Sequence, residues 1–142
     1  MIKCSAYIEK YDWWVYCFIA VSHYDVDEIL ACLSAIGCDG YTMLDAEMKL
    51  RENELNSGLT YSSRVDRASV MVTAISDSAE QQFNTIIHEI CHVGCHIANA
   101  SYINKNDEEF AYLIGDFAMS LFPKVKGLLC DCCRSKKDDY YD

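Results

Sequence analysis

Two histidines and one glutamate in a short segment have the types and spacing needed to hold a metal ion and activate water. His88 and His92 lie four residues apart, so on a helix both imidazoles project from one face, about 6 Å apart along the axis. Both rings can then reach one zinc ion at about 2.0–2.1 Å. Glu89 follows the first histidine and lies beside the metal, where a carboxylate can deprotonate a bound water. At this composition about 0.005 occurrences of the pattern are expected by chance, so the segment predicts zinc-dependent hydrolysis.

A catalytic zinc ion usually takes three protein ligands and leaves a fourth position for water, so a third ligand is needed. His96 continues the same helical face. It lies about 12 Å along the axis from His88, whereas two ligands of one zinc ion can be at most about 4 Å apart. We therefore expect His96 to be a neighbour of the site or a wall of its pocket. Cys91 and Cys95 also lie near the motif, and we expect both to be packed core thiols.

The next helix in the chain offers carboxylates that could complete the site. Glu108 shares a helical face with the small residues Ala111 and Gly115. We expect this face to dock on the motif helix, because small residues let two helices approach closely, with Glu108 as the third ligand. Glu109 is the runner-up and Asp107 a weaker candidate, and the alternative role for these acids is favourable charge at a helix N-terminus. A separate stripe of the same helix is bulky and apolar: Phe110, Ile114, Phe117 and Leu121.

Hydrophobic patterning places these residues in a mixture of strands and helices. Runs rich in aromatic and β-branched residues predict strands over 5–11, 13–21 and 69–75. Apolar residues at helical spacing predict helices over 26–36, 43–56, 79–98 and 108–122. Ser78 with Gln81 fits a capping box for the motif helix, and Pro123 closes the last helix. The pattern predicts an α+β fold, with a small mixed or antiparallel sheet packed on the motif helix and the following helix.

Length and composition favour a single domain. The chain has 142 residues, of which 51% are hydrophobic, enough to bury a core. We expect this domain over residues 1–123 and a cysteine-rich, charged and mobile tail over residues 124–142. A formal net charge of −10 disfavours nucleic acid as a partner. The absence of a long apolar run and of a signal-peptide pattern predicts a cytoplasmic protein without membrane association.

The nine cysteines are odd in number and irregularly spaced, so we expect most of them to be reduced. Cys130, Cys132 and Cys133 in the tail offer an alternative role, as ligands of a separate structural metal ion. Their spacing differs from that of the usual zinc ribbons, which leaves this alternative weaker than the histidine site.

The chain from Val70 to Pro123 resembles the gluzincin group of zinc metallopeptidases. The likeness rests on the HExxH run 85–92 and on the run 108–113, which starts with Glu108. The short spacing is similar to that of minimal gluzincins and of small HExxH peptidases from phages and mobile elements. The resemblance implies a zincin-like fold, one zinc ion on His88, His92 and Glu108, Glu89 as the general base, and a peptide or protein substrate.

Three further expectations follow from the resemblance. Gluzincins often supply a tyrosine or histidine that stabilises the oxyanion, and Tyr112 and His96 are the candidates here. The strand over residues 69–75 would be the edge strand that pairs with an extended peptide. Larger relatives have a second domain that forms the far wall of the cleft, and this chain leaves no room for one. The alternative function is therefore a non-catalytic zincin-like regulatory or interaction module of a phage or mobile element.

Overall fold

A mixed four-stranded sheet forms the centre of the protein. The computed structural model describes residues 1–52 and 55–138. The strands are β1 (Ile2–Ile8), β2 (Trp13–Val21), β3 (Gly58–Ser63) and β4 (Ala68–Ala74), arranged in the order β1-β2-β4-β3. Strand β2 pairs antiparallel with β1 and parallel with β4, and β4 pairs antiparallel with β3. The two edges of the sheet are therefore β1 and β3.

Helices cover both faces of this sheet. They are α1 (Val26–Ala35), α2 (Gly40–Arg51), α3 (Ala79–Ser101), α4 (Glu108–Val125) and α5 (Asp131–Asp138). Because side chains alternate along a strand, Val15 and Ile19 of β2 enter the core beneath α3 and α4, whereas Phe18 enters the core beneath α1 and α2. The parallel pairing of β2 with β4 requires a crossover connection, which α1, α2 and β3 supply.

The α+β class and the mixed sheet are confirmed, and so are most elements. The four predicted helices and three predicted strands correspond in position to α1–α4, β1, β2 and β4, although β1 includes only residues 5–8 of the predicted strand 5–11 and Glu9–Tyr11 form a 3₁₀ turn. Residues 53 and 54, at the end of the second predicted helix, lie outside the described residues. The prediction missed β3, whose residues are all half-buried. Such a strand has no contrast between a buried and an exposed face, and this contrast is the signal by which strands are recognised.

Capping interactions define both ends of the motif helix. Ser78 precedes α3, and its hydroxyl accepts a 3.1 Å hydrogen bond from the backbone N–H of Gln81, as an N-cap residue does. At the other end Tyr102 adopts a left-handed conformation with φ 56°, and its N–H donates to the Ala98 carbonyl. The core-facing side of α3 includes Ile86, Ile90, Val93 and Ile97.

The prediction of which α4 face docks on α3 is wrong. A Cβ atom added to Gly94 of α3 would lie 2.2 Å from Ile114 Cδ1 and 3.5 Å from Phe110 Cε2. Gly115 has open space around it, and Ala111 is exposed. The bulky stripe therefore packs inward while the small residues face solvent, because burying large apolar side chains removes more surface from water.

The described segment after Pro123 is mostly helical, and the expected mobility of residues 124–142 stays a prediction. Helix α4 continues through Pro123 to Val125, which is buried. A short 3₁₀ turn (Lys126–Leu128) then leads into α5. The remaining tail residues, 139–142, lie outside the described residues. None of the helices in the described part of the chain is long and apolar enough to cross a membrane.

Candidate metal centre

His88, Glu89 and His92 come together on α3. Their ligand atoms all lie within 4.8 Å of one another. The Nε2 atoms of the two histidines are 3.2 Å apart, close to the separation of about 3.3 Å that two ligands have on a tetrahedral zinc ion with bonds of about 2.0–2.1 Å. Glu89 Oε1 lies 4.0 Å from His88 Nε2. The donor atoms are thus arranged for one ion between the imidazoles, with a carboxylate beside it.

The two histidines and the glutamate differ sharply in exposure. The His88 side chain is 53% exposed, whereas Glu89 is 2% exposed. This contrast follows from helix geometry, since neighbouring residues point about 100° apart around the axis. Glu89 points under the sheet edge, and His88 and His92 point towards the adjacent solvent. The histidines are therefore open to solvent, whereas the carboxylate is enclosed.

Strand β3 holds the Glu89 carboxylate in place. Thr60 Oγ1 donates a 2.6 Å hydrogen bond to Glu89 Oε2, and Ser57 Oγ donates a longer one of 3.4 Å to Oε1. Gly58 permits this approach, because a Cβ atom there would lie 2.1 Å from the Val72 carbonyl oxygen and 2.9 Å from Glu89 Cγ. An ionised carboxylate only accepts hydrogen bonds, so two hydroxyl donors match its charged form.

His96 lies beside the histidine pair and is oriented by the sheet. Its Nδ1 is 2.7 Å from Ser62 Oγ, which is itself 2.7 Å from Ser69 Oγ. Trp13 Nε1 donates to Ser69 Oγ at 2.9 Å and ends this polar chain in the core. The rings of His92 and His96 are 6.4 Å apart. His96 therefore lies next to the centre, with one nitrogen engaged by the strand.

The pKa of His96 is lowered, first by burial, which disfavours the charged imidazolium, and then by the nearby His92. The Glu89 carboxylate acts in the opposite direction and is the weaker influence. The half-buried His96 ring lines a shallow cleft with Thr60, Ser62 and Arg64. His88 and His92 are not among the residues that line this cleft, so the expected role of His96 as a wall of the metal site's pocket stays a prediction.

The structure does not bring Glu108 to the histidine pair. Glu108 lies on the exposed face of α4. Helix α4 contacts α3 at Gly94, and Gly94 follows His92 by two residues, which places it on nearly the opposite side of α3. Tyr112, the candidate for oxyanion stabilisation, is 66% exposed on α4. The predicted third ligand depended on the small-residue face of α4 docking inward, and that face points to solvent.

Glu109 and Asp107 are also placed away from the histidines. Glu109 accepts a 2.9 Å hydrogen bond from the Tyr11 hydroxyl and pairs with Lys10 at 3.4 Å. The pKa of Glu109 is lowered, first by the Tyr11 hydrogen bond and then by Lys10. Asp107 is the N-cap of α4. The acids at the start of α4 thus have the alternative role of favourable helix-end charges, with Glu109 also bonded to the turn after β1.

The two cysteines of the motif region do not share one environment. Cys95 is half-buried, whereas Cys91 is exposed, which corrects the expectation that both are packed thiols. Burial of part of its surface raises the pKa of Cys91, and the neighbouring Cys95 adds to that shift. Neither thiol belongs to the group formed by His88, Glu89 and His92.

The predicted edge strand is a central one. Strand β4 contains most of the predicted segment 69–75, and it is paired on one side with β2 and on the other with β3. Its backbone groups are therefore engaged on both sides and cannot pair with a peptide. The edge beside α3 belongs to β3 instead. The sequence prediction assigned this position to β4 because it had missed β3.

The sequence did not identify three polar residues of the site, which lie in β3 and in the segment before it: Ser57, Thr60 and Ser62. Thr60 and Ser62 are two residues apart on a strand, so their side chains share one face, and both contact α3. This two-residue spacing would have indicated a shared face only if the segment had already been recognised as a strand. Ser57 precedes the strand, and nothing in the sequence distinguishes it from the other serines of the chain.

In comparisons with protein-family models, with curated proteins and with solved structures, the chain matches none. What can be said of the centre therefore depends on its own donor atoms. Imidazole nitrogens suit Zn²⁺ as well as copper, iron and nickel ions, and the 3.2 Å separation of the two Nε2 atoms fits shared coordination. In the described part of the chain, no further histidine, cysteine, aspartate or glutamate joins this group.

Proposed function

We propose that the protein is a zinc-dependent hydrolase of the zincin type that cleaves peptide bonds. The observation that carries this proposal is the joint placement of His88 Nε2 and His92 Nε2 at 3.2 Å, with Glu89 Oε1 4.0 Å from His88 Nε2. Two imidazoles that converge beside a buried carboxylate supply two ligands and a general base for metal-assisted hydrolysis.

In this proposal each residue of the centre has a separate task. His88 and His92 hold the zinc ion, which when bound lowers the pKa of water and polarises a carbonyl group. Glu89 accepts the proton of the attacking water and then delivers it to the leaving amine. Thr60 and Ser57 keep the carboxylate of Glu89 oriented through this exchange. His96, whose Nδ1 is engaged by Ser62, lies beside the centre with its other nitrogen available to a substrate.

A peptide is favoured as the substrate by the position of β3. This strand borders the centre through its bonds to Glu89 and His96. One side of β3 pairs with β4, and its other side is an edge of the sheet. An extended peptide can add to such an edge through main-chain hydrogen bonds, which brings a scissile bond past neighbouring side chains.

The second candidate is a metal-binding module without hydrolytic activity. The observation that favours it is the ligand count, because the described part of the chain provides two histidines and one adjacent carboxylate, whereas catalytic zinc sites typically have three protein ligands. If Glu89 coordinates the ion itself, it completes three ligands but is no longer available as a base. The two candidates thus assign Glu89 different roles.

One experiment distinguishes the two candidates. The full chain is stripped with a chelator, reloaded with Zn²⁺ and incubated with a broad peptide library, and cleavage products are identified by mass spectrometry. Hydrolase activity predicts cleavage that disappears after chelation and returns with Zn²⁺. Stoichiometric zinc with no cleavage at any site would support the module, and a chain that takes up no zinc at the histidines would contradict both candidates.

A further inference from the structure

Three thiols lie close together at the start of α5, far along the chain from the histidines of α3. Cys130 directly precedes the helix, and Cys132 and Cys133 lie in its first turn. The three Sγ atoms all lie within 4.8 Å of one another, and those of Cys130 and Cys132 are 2.8 Å apart. Helical geometry produces this cluster, since a residue before a helix has its side chain close to the second and third helical residues.

The cluster is held against the rest of the protein on both sides. Leu129 packs on the core shared by the sheet, α3 and α4. Asp131 Oδ1 accepts a 3.2 Å hydrogen bond from the backbone N–H of Ala79. Arg134 donates a 2.9 Å hydrogen bond to the Ser78 carbonyl and another to that of Ser76. The segment that carries the thiols is therefore fastened to the beginning of α3, the helix that bears the histidines.

The three thiols are accessible to a metal ion. Cys130 is half-buried, and Cys132 and Cys133 are exposed. Thiolates are the form in which cysteine binds metal, and a metal ion bound between the sulfurs favours loss of the thiol protons.

We propose that Cys130, Cys132 and Cys133 form a second metal site, specific for a thiophilic ion such as Zn²⁺ and independent of the histidine centre. With Zn–S bonds of about 2.3 Å, tetrahedral coordination separates the sulfurs by about 3.8 Å, which the present cluster reaches by small side-chain adjustments. All three ligands come from one helical start, so little chain entropy opposes closure around the ion. The three thiolates leave one coordination position on the solvent side. Its role is structural, since the ion fixes the first turn of α5, whose Asp131 and Arg134 bond to the start of α3.

Cobalt is a suitable probe because only thiolate ligands produce intense charge-transfer absorption with Co²⁺. The full chain is reduced, stripped of metal and titrated with Co²⁺, and displacement by Zn²⁺ is then followed. The proposal predicts a thiolate charge-transfer band that saturates at one equivalent and disappears on addition of Zn²⁺. The double variant Cys132→Ser/Cys133→Ser should lose this band and one equivalent of bound metal.

Two control variants separate this site from the histidine centre. His88→Ala removes a ligand of the proposed hydrolytic centre and should leave the thiolate band unchanged. Cys91→Ser/Cys95→Ser removes the thiols closest to the histidines and should also leave the band unchanged. A band that survives loss of Cys132 and Cys133, or that disappears with Cys91 and Cys95, would overturn the proposal. So would a reduced wild-type chain without the band, or a native mass showing that the tail thiols form a disulfide instead of binding metal.

Discussion

Thr60 Oγ1 donates a 2.6 Å hydrogen bond to Glu89 Oε2 and so connects the carboxylate of the HExxH helix to the edge strand β3. The bond joins residues that are 29 positions apart in sequence. Through it, the group proposed as the general base and the strand proposed to bind the peptide form one unit. Movement of the strand edge therefore changes the position of the carboxylate.

Replacing Thr60 with valine tests this connection. Valine keeps the branched shape that suits a strand but leaves a buried carboxylate oxygen without its donor. Hydrogen bonds to charged groups contribute about 1.5–3 kcal/mol, so we expect Thr60→Val to lower the free energy of unfolding by about that amount. Denaturant titration measures the change. Thr60→Ser retains a hydroxyl and should recover most of the loss, and equal stability of Thr60→Val and the wild type would contradict the role of this bond.

Replacing Glu89 with glutamine separates binding from catalysis. Glutamine has nearly the same shape and can still accept from Thr60, so the fold and the zinc content should be retained. It cannot take a proton, and loss of general base catalysis typically lowers a rate by about 10²–10⁴-fold. The measurement is the turnover of a peptide that the library screen has identified, with Glu80→Gln on the exposed first turn of the same helix as the control. Wild-type turnover in Glu89→Gln would exclude the proposed mechanism.

The metal ligands can be distinguished by single substitutions along α3 and α4. His88→Ala and His92→Ala should each abolish stoichiometric zinc at the centre, since one imidazole alone holds the ion weakly. His96→Ala should retain the ion, because the Nδ1 of His96 is engaged by Ser62. Glu108→Ala should also retain it, because Glu108 lies on the exposed face of α4. Metal analysis after dialysis measures all four variants, and zinc loss in Glu108→Ala would mean that α4 approaches the histidines in the zinc-bound state.

The sequence predicted the parts of the centre that depend on local geometry. The spacing of His88 and His92 and the capping residue Ser78 are properties of a single helix, and periodicity reveals them directly. Thr60 and Gly58 depend instead on the pairing of β3 with β4 and its packing over α3. This contact forms between residues far apart in the chain. No local pattern of residues in β3 indicates which helix the strand will contact.

The α3–α4 contact was mispredicted for a related reason. Helix α4 has one face of small residues and one of bulky residues, and each face alone could meet another helix. The outcome depends on the volume left between α4, α3 and the sheet, which the large side chains of Phe117 and Leu121 fill. Close approach is achieved by the glycine on the other helix, Gly94, against Ile114. The small residue of the contact is therefore on α3 and not on α4.

A pair of glycine-to-alanine substitutions tests this arrangement. Gly115 lies inside α4 with open space around it, so Gly115→Ala should raise the free energy of unfolding by about 0.5–1 kcal/mol through higher helix propensity. Gly94→Ala has the same intrinsic gain, but its Cβ would lie 2.2 Å from Ile114 Cδ1. The end of the Ile114 side chain must turn away to admit this methyl group, which offsets part of the gain, so Gly94→Ala should be the less stable of the two variants. The denaturant midpoints of the two variants, measured under the same conditions, give this difference in stability. If the small-residue face of α4 docked on α3 instead, Gly115→Ala would be the destabilised variant and the order would reverse.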